Sequence, residues 1–346
     1  MFNLSTWFSL FVAVYVIFNR YASPIPYITL SEFILLLFWG MFIISHPKKI
    51  HIEWCLVPFC IYLLGYVIVP FTGFIPYVSD MTDLVGTAAR LLFIYVSITI
   101  LGKNLFNIEK GIKFIHWVAI ILAVYACLQI LAAKFGIYLT TYLPFLPVVG
   151  GENIDTVIQN RTVLYGLAFR ASSLLTEPAH LCTYLAAALG LELFSSSRKN
   201  RFMWALFFSS VSLLTLSSTG LVVTLLIWGL FFLQNPKVSI KKFSGGVLVA
   251  SVGILLSCIF LYVFGIWEYF INRVFGGSFM GISNSTCFYA IGNMFAASSS
   301  IVGVLFGQGL SQTANYLPGF ARTYLCLGLL GLILSLFGLF YIYLKT

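Results

Sequence analysis

Phe114-Ile115-His116-Trp117-Val118-Ala119-Ile120-Ile121-Leu122-Ala123-Val124-Tyr125-Ala126-Cys127-Leu128-Gln129-Ile130-Leu131-Ala132-Ala133 runs for twenty residues without an Asp, Glu, Lys or Arg. A helix crossing the hydrocarbon core of a bilayer needs about 20 mostly apolar residues. Lipid offers no hydrogen bonds to the backbone, so such a run is satisfied there only as a helix. Comparable runs extend along the whole chain. They predict ten spans, at 3–19, 27–45, 53–70, 84–101, 114–133, 178–195, 202–216, 219–233, 243–265 and 319–344. The seventh and eighth are joined by Ser217-Ser218-Thr219-Gly220, which reads as a tight hairpin. The segment 287–306 is apolar but rich in Ser and Gly, and reads as a re-entrant or interfacial helix, or as an eleventh span. The first run, Leu4 to Phe18, has no basic leader and no small-residue cleavage site, so a permanent helix is expected rather than a signal peptide.

Composition agrees. Of 346 residues 60% are hydrophobic and 8% charged, with mean hydropathy +1.01. A soluble domain carries about 25% charged residues, and a third of that cannot keep a surface wet. The expected fold class is an all-α polytopic integral membrane protein, one transmembrane domain over 1–346 with both termini cytoplasmic. The net charge of +9 is therefore read as loop topology, not as nucleic-acid binding, because Lys and Arg mark cytoplasmic loops. With the N-terminus inside, the short loops holding Lys48 and Lys49, Lys103 to Lys113, Arg198 to Arg201 and Lys237 to Lys242 all fall on the cytoplasmic side, as does Lys345.

Those positions hold twelve of the nineteen basic residues, ten of them Lys. The other seven are Arg20, Arg90, Lys134, Arg161, Arg170, Arg273 and Arg322. Topology does not explain why six of these are arginine. A guanidinium is a rigid fork that matches phosphate and carboxylate with two parallel hydrogen bonds. An anionic ligand on the outer face is one reading; scattered contacts to lipid headgroups are the other. Two loops on that face are long, 134–177 and 266–318, and long loops are more often functional than short ones.

The stretch Phe169-Arg170-Ala171-Ser172-Ser173-Leu174-Leu175-Thr176-Glu177-Pro178-Ala179-His180 ends the first of them. Pro is tolerated in a first helical turn, where its missing N–H has no partner anyway, so the sixth span starts here. A helix N-terminus favours anions. Glu177, His180 and Tyr184 recur at i, i+3 and i+7 beside Arg170, and a carboxylate or an imidazole can take a proton from an attacking hydroxyl. The bland alternative has Glu177 capping its own helix and His180 facing headgroups. Elsewhere bland readings lead. Arg90 and Glu32, at similar depth in two spans, are expected to pair. Glu192, at a cytoplasmic helix end, is expected to be solvated. The seven cysteines lie mostly in apolar runs without a CxxC, as packed thiols rather than as a metal or disulfide framework.

Arg170, Ser173 and Glu177-Pro178 resemble the R-x-x-S-x-x-x-E-P signature of Wzy-type polymerases of bacterial polysaccharides. Leu216-Ser217-Ser218-Thr219-Gly220 resembles that family's hairpin with a Ser/Thr-Gly turn. Leu305-Phe306-Gly307-Gln308-Gly309 resembles its G-x-G near the end of the second long loop. Tyr316-Leu317-Pro318-Gly319, leading to Leu327-Gly328-Leu329-Leu330-Gly331, resembles its last loop and final helix. The likeness covers roughly 160–345. It implies a glycosyltransferase of the bacterial inner membrane whose site faces outward. The substrate class would be oligosaccharide repeat units on undecaprenyl diphosphate, joined into O-antigen, capsule or exopolysaccharide. Glu177 or His180 would activate the acceptor hydroxyl. Arg170, Arg161, Arg273, Arg322 and Arg90, with Ser173 and Tyr184, would hold the diphosphates and substrate. No cofactor is implied, and no Asp-x-Asp pair occurs, as suits a metal-independent enzyme. Membrane lipid and a chain-length-regulating co-polymerase are the other expected partners. The chain departs from the family where relatives carry a further basic residue ahead of the G-x-G; here Asn284-Ser285-Thr286-Cys287 stands near that place.

Two alternatives stand beside the polymerase. An O-antigen ligase shares the topology and the arginines, but usually carries its histidine within one dominant loop. A flippase for the same lipid-linked sugar needs a deep cavity, often charged along its depth, whereas charges here lie at the faces apart from Glu32 and Arg90. A purely structural subunit would not require arginines beside a Glu/His pair.

Overall fold

The computed structural model describes residues 3–46, 54, 57–68, 81–149, 170–195, 200–215, 217–234, 262, 301–307, 324 and 326–337. Among these residues the regular structure is helical, apart from two isolated bridges that pair Tyr21 with Val148 and Ala22 with Thr29. The helices are α1 (Leu4–Phe18), α2 (Leu30–Ser45), α3 (Val57–Ile68), α4 (Met81–Ser97), α5 (Ile108–Lys134), α6 (Pro178–Phe194), α7 (Arg201–Leu214), α8 (Ser218–Gln234), α9 (Ile301–Phe306) and α10 (Cys326–Phe337). A π-helical turn, Ile98–Gly102, and a last turn, Lys103–Leu105, prolong α4. Two apolar helices, Val85–Leu105 and Ile108–Lys134, are long enough to cross a membrane. At 1.5 Å per residue α5 is about 40 Å long. The expected span at 243–265 lies outside the described residues except for Tyr262, and of 287–306 only the part in α9 is described.

Helix starts follow local chemistry more closely than hydropathy. α5 begins six residues before the apolar run because Asn107 caps it, its Oδ1 accepting the Lys110 N–H at 2.9 Å. Hydropathy marks where the surroundings become apolar, whereas the backbone ladder starts at the cap. α2 opens with a reciprocal capping box. The Thr29 N–H donates to Glu32 Oε2 at 2.8 Å, and the Glu32 N–H to Thr29 Oγ1 at 3.3 Å. Glu32 is therefore 5% exposed with one carboxylate oxygen committed to its own helix start.

The chain packs as two compact units. The first comprises Met1–Leu36 and Phe106–Phe275. Here α1 and α5 begin at the same end, where Lys110 Nζ donates to Thr6 Oγ1 at 2.7 Å and the Asn107 N–H to Ser9 Oγ at 2.9 Å. α6 runs antiparallel to α5 and packs against α7 and α8. One end of this unit carries Lys110, Lys113 and Arg201; the other carries Arg20, Lys134, Arg170, Glu177 and His180. The core joins Ala13, Ala119, Leu122, Ala123, Ala126, Leu181, Leu185 and Phe208, all buried. On the far side of α5 an equally apolar stripe, Trp117, Ile121, Val124, Leu128 and Leu131, is exposed. A helix apolar all round needs an apolar surrounding on every side.

Glu192 is not solvated. It is 1% exposed, its Oε1 lies 2.7 Å from His116 Nδ1, and His116 is 6% exposed. The imidazole meets Trp204 edge-on, with ring centroids 5.1 Å apart, and Phe208 at 5.9 Å. The sequence placed Glu192 near the last turn of its span, but antiparallel packing sets that turn against the third turn of α5 and under the aromatics of α7.

The second unit comprises Leu37–Leu105 and Gly276–Thr346. Phe59, Leu63, Ala88, Cys326 and Leu327 form its core, with the Tyr62 hydroxyl donating to the Leu327 carbonyl. Gly307 and Gly328 adopt φ of +79° and +67°, and a Cβ on Gly307 would meet the Cys326 carbonyl carbon at 2.6 Å. The first glycine of the G-x-G thus serves a close backbone crossing with the start of α10. Gly309 and 316–319 lie outside the described residues.

Candidate functional site

The site is assembled where α1 and α5 end and α6 and α8 begin. Past α1 the chain pairs with the start of the first long loop. The Ala22 N–H donates to the Pro147 carbonyl at 2.8 Å, and the Val149 N–H to the Arg20 carbonyl at 3.0 Å. Arg20 is 8% exposed and its Nη1 donates to the Thr141 carbonyl at 2.7 Å and to Thr141 Oγ1 at 3.2 Å. This arginine holds the loop onto α1. Its neighbour Tyr21 is fully buried and accepts the Leu143 N–H at 2.7 Å. Burial pushes its phenol up from the usual range, partly offset by that N–H and by the Arg20 charge.

Deeper in the same end, Gln129 of α5 is fully buried. Its Nε2 donates to the Thr140 carbonyl at 3.1 Å and to the Ser173 carbonyl at 3.2 Å, while its Oε1 accepts the Ser173 N–H at 2.8 Å. One amide therefore closes a two-bond pair with the Ser173 backbone and ties in the beginning of the loop as well. Ser173 sits at φ +55°, a left-handed conformation uncommon for a non-glycine residue. Its side chain is fully buried, and Oγ has no hydrogen-bond partner among the described residues. Sequence reading picked out Ser173 but not Gln129. The only signal was an amide inside an apolar run, where a polar group needs a partner.

Beyond Ser173 the chain reaches α6. Glu177 occupies the N-cap position with extended φ −139° and ψ 152°, Pro178 follows as expected, and the carboxylate makes no capping hydrogen bond. Glu177 and His180 are both exposed. His180 Nδ1 lies 2.6 Å from Thr176 Oγ1, a contact that fixes the ring and orients it at the helix start. Tyr184 turns elsewhere. It is half-buried, and its hydroxyl donates to the Ala13 carbonyl of α1 at 2.7 Å. Tyr184 stands one turn after His180 on α6, but its hydroxyl is used on α1, and Glu177 precedes the first helical residue, so the expected i, i+3, i+7 set does not act as one group.

Arg170 is half-buried and lies eight residues before Pro178 opens α6. Cys182 Sγ lies 2.9 Å from Thr215 Oγ1 at the end of α7. Ser217 Oγ accepts the Gly220 N–H at 3.5 Å, and a Cβ on Gly220 would overlap Cys182 Sγ and stand 2.9 Å from its Cβ. Glycine therefore allows α8 to cross α6 at this height. The helix that the arginine-to-proline segment opens and the Ser/Thr-Gly hairpin, read separately in the sequence, come together here.

Arg90 is exposed on α4 in the second unit. Arg161, Arg273, Arg322 and 284–287 lie outside the described residues. Among the described residues no group of three or more His, Cys, Asp and Glu side chains is arranged to hold a metal. Among the described residues the start of α6 thus offers an exposed carboxylate without a capping hydrogen bond and an imidazole in contact with Thr176, with Arg170 shortly before them in the chain. That set can bind an anion and accept a proton. Comparison with family models, with curated proteins and with solved structures gives no match for this chain.

Proposed function

We propose that the chain is a polytopic inner-membrane glycosyltransferase that polymerises oligosaccharide repeat units carried on undecaprenyl diphosphate. The observation that carries this reading is the contrast at the start of α6. An exposed carboxylate that makes no capping hydrogen bond and an imidazole in contact with Thr176 stand together at one helix start, shortly after Arg170 in the chain. The exposed stripe on α5 and the 8% charge content support a lipid surrounding with about ten spans. The clustering of Lys110, Lys113 and Arg201 at one end of the first unit supports a cytoplasmic face there.

In the proposed reaction a sugar hydroxyl of one lipid-linked repeat attacks the anomeric carbon of the glycan on another. A new glycosidic C–O bond forms as the C–O bond to the diphosphate breaks. The hydroxyl proton passes to Glu177 or His180, and the departing undecaprenyl diphosphate takes the electron pair. Arg170 and the N-terminus of α6 stabilise its developing charge, with Arg161, Arg273, Arg322 and Arg90 as further candidate cations. Ser173 belongs to the backbone that shapes the segment, and Tyr184 to the packing that seats α6 on α1. A separate co-polymerase would set chain length.

The test is deletion of the gene, followed by sizing of the surface glycan with wild type, Glu177→Gln, His180→Ala and Arg170→Ala restored at matched protein levels. Single repeat units at the surface with the long ladder lost are the expected result. Long chains stranded on the lipid carrier, with none on the final acceptor, would assign a ligase instead. An unchanged ladder would overturn both.

A further inference from the structure

We infer that Gln129, within the apolar core, is a positioning residue for the outer site, holding the Arg170–Glu177 segment in place through the Ser173 peptide; the inference rests on the polymerase reading. A primary amide can form a paired donor–acceptor contact with one residue's N–H and C=O, and Gln129 does so with Ser173 at 2.8 and 3.2 Å. The third contact, to the Thr140 carbonyl at 3.1 Å, joins the first turns of the long loop to its last. Tyr125, one helical turn earlier on α5, donates its hydroxyl to the same Thr140 carbonyl at 2.7 Å. The loop is thus fastened at both ends to a single helix.

The geometry held there does not form by itself. Ser173 is at φ +55° and buries an Oγ without a partner among the described residues. Such conformations persist only where surrounding contacts over-determine them. Arg170 lies three residues before this anchor and Glu177 four after it, so a shift of the Ser173 peptide moves both. Reacting groups misplaced by about 1 Å can lose on the order of a hundredfold in rate. No other described side chain hydrogen-bonds the Ser173 backbone N–H or carbonyl among the contacts resolved at this site.

The experiment uses the full chain in lipid nanodiscs. Gln129→Met keeps the side-chain volume and apolar packing while removing the amide, and Gln129→Asn keeps the amide but shortens its reach. Amide hydrogen exchange is followed over 170–177, and polymerisation of a purified undecaprenyl-diphosphate-linked repeat unit gives kcat and KM. Both variants should exchange roughly tenfold to a hundredfold faster at 170–177, as expected when a buried hydrogen bond is removed, with α6 to α8 unchanged. Turnover should fall by about tenfold or more, with KM within about twofold. Unaltered exchange at 170–177 would overturn the inference. Faster exchange with unchanged kcat would overturn it too, since the segment would then move without consequence. If the exchange rises but wild type itself does not polymerise the repeat unit, the polymerase reading fails while the clamp on the loop stands.

Discussion

Helix α6 has a carboxylate and an imidazole at each of its ends, and the two pairs behave in opposite ways. At the C-terminal end Glu192 and His116 lie 2.7 Å apart, both under a tenth exposed, beneath Trp204. At the N-terminal end Glu177 and His180 are exposed; the carboxylate caps nothing, and the ring is oriented by Thr176 instead. Residue types alone do not separate structure from chemistry. Partners do: a group held against an opposite partner inside the fold stabilises the fold, and a group left presented to solvent at a helix start is available to a ligand.

The largest expected effect tests the packed end. Glu192→Ala leaves His116 buried without its carboxylate, and breaking a buried pair costs about 3–5 kcal/mol. Thermal unfolding of the purified protein in detergent should show a much lower transition, and His116→Phe in the same background should restore part of it. Glycan assembly per folded molecule should be unaffected. A loss of stability under about 1 kcal/mol, the size expected of an exposed pair, would erase the contrast between the ends.

A smaller effect is expected at the crossing of α8 over α6. Gly220→Ala forces a Cβ onto Cys182 Sγ, and overpacking of this kind costs about 1–3 kcal/mol. Cys182→Gly in the same chain removes the obstructing atoms, so the double variant should recover stability beyond the sum of the two single changes. Additive losses would show that the helices separate freely and that the glycine has another role.

How much of this could be read beforehand depends on whether the determinant is local. Helix positions are legible because apolar runs and caps are local signals: Pro178 opens α6 as the sequence suggests, and α8 starts at Ser218, one residue before the expected 219. The contact between Cys182 of α6 and the turn before α8 is legible only as separate motifs. Arg20 stands among the outward-facing arginines in the sequence, yet its guanidinium is used on Thr141, 121 residues away. Glu192 reads as a solvated helix end in the sequence because its partner His116 stands 76 positions earlier. Gln129 looked like one polar residue in a span, since the peptide it holds lies 44 residues on. Each of these depends on which helix packs against which, and the period of a single segment does not carry that information.

Thr176→Val separates orientation from packing at the exposed end. It removes the contact to His180 Nδ1 while keeping the branched shape, and an exposed neutral hydrogen bond contributes roughly 0.5–1 kcal/mol. The melting transition should move by that little. Polymerisation should fall further than stability does, because an unheld ring samples orientations that do not face the acceptor. If the ladder is unchanged at matched protein level, His180 is not the group that takes the proton, and Glu177 remains.

Glu177→Gln is expected to be the least disturbing change to the fold and among the most damaging to activity. The carboxylate is exposed and makes no capping bond, and surface substitutions away from such features usually stay within about 0.5 kcal/mol. Loss of a general base costs about a hundredfold or more in rate. Melting and ladder length must therefore come apart for this variant, whereas for Glu192→Ala they fall together through the amount of folded protein. A Glu177→Gln protein that melts several degrees lower would mean that the carboxylate has a structural partner after all. The two ends of α6 would then differ only in degree of burial, and the outer pair would lose its claim to chemistry.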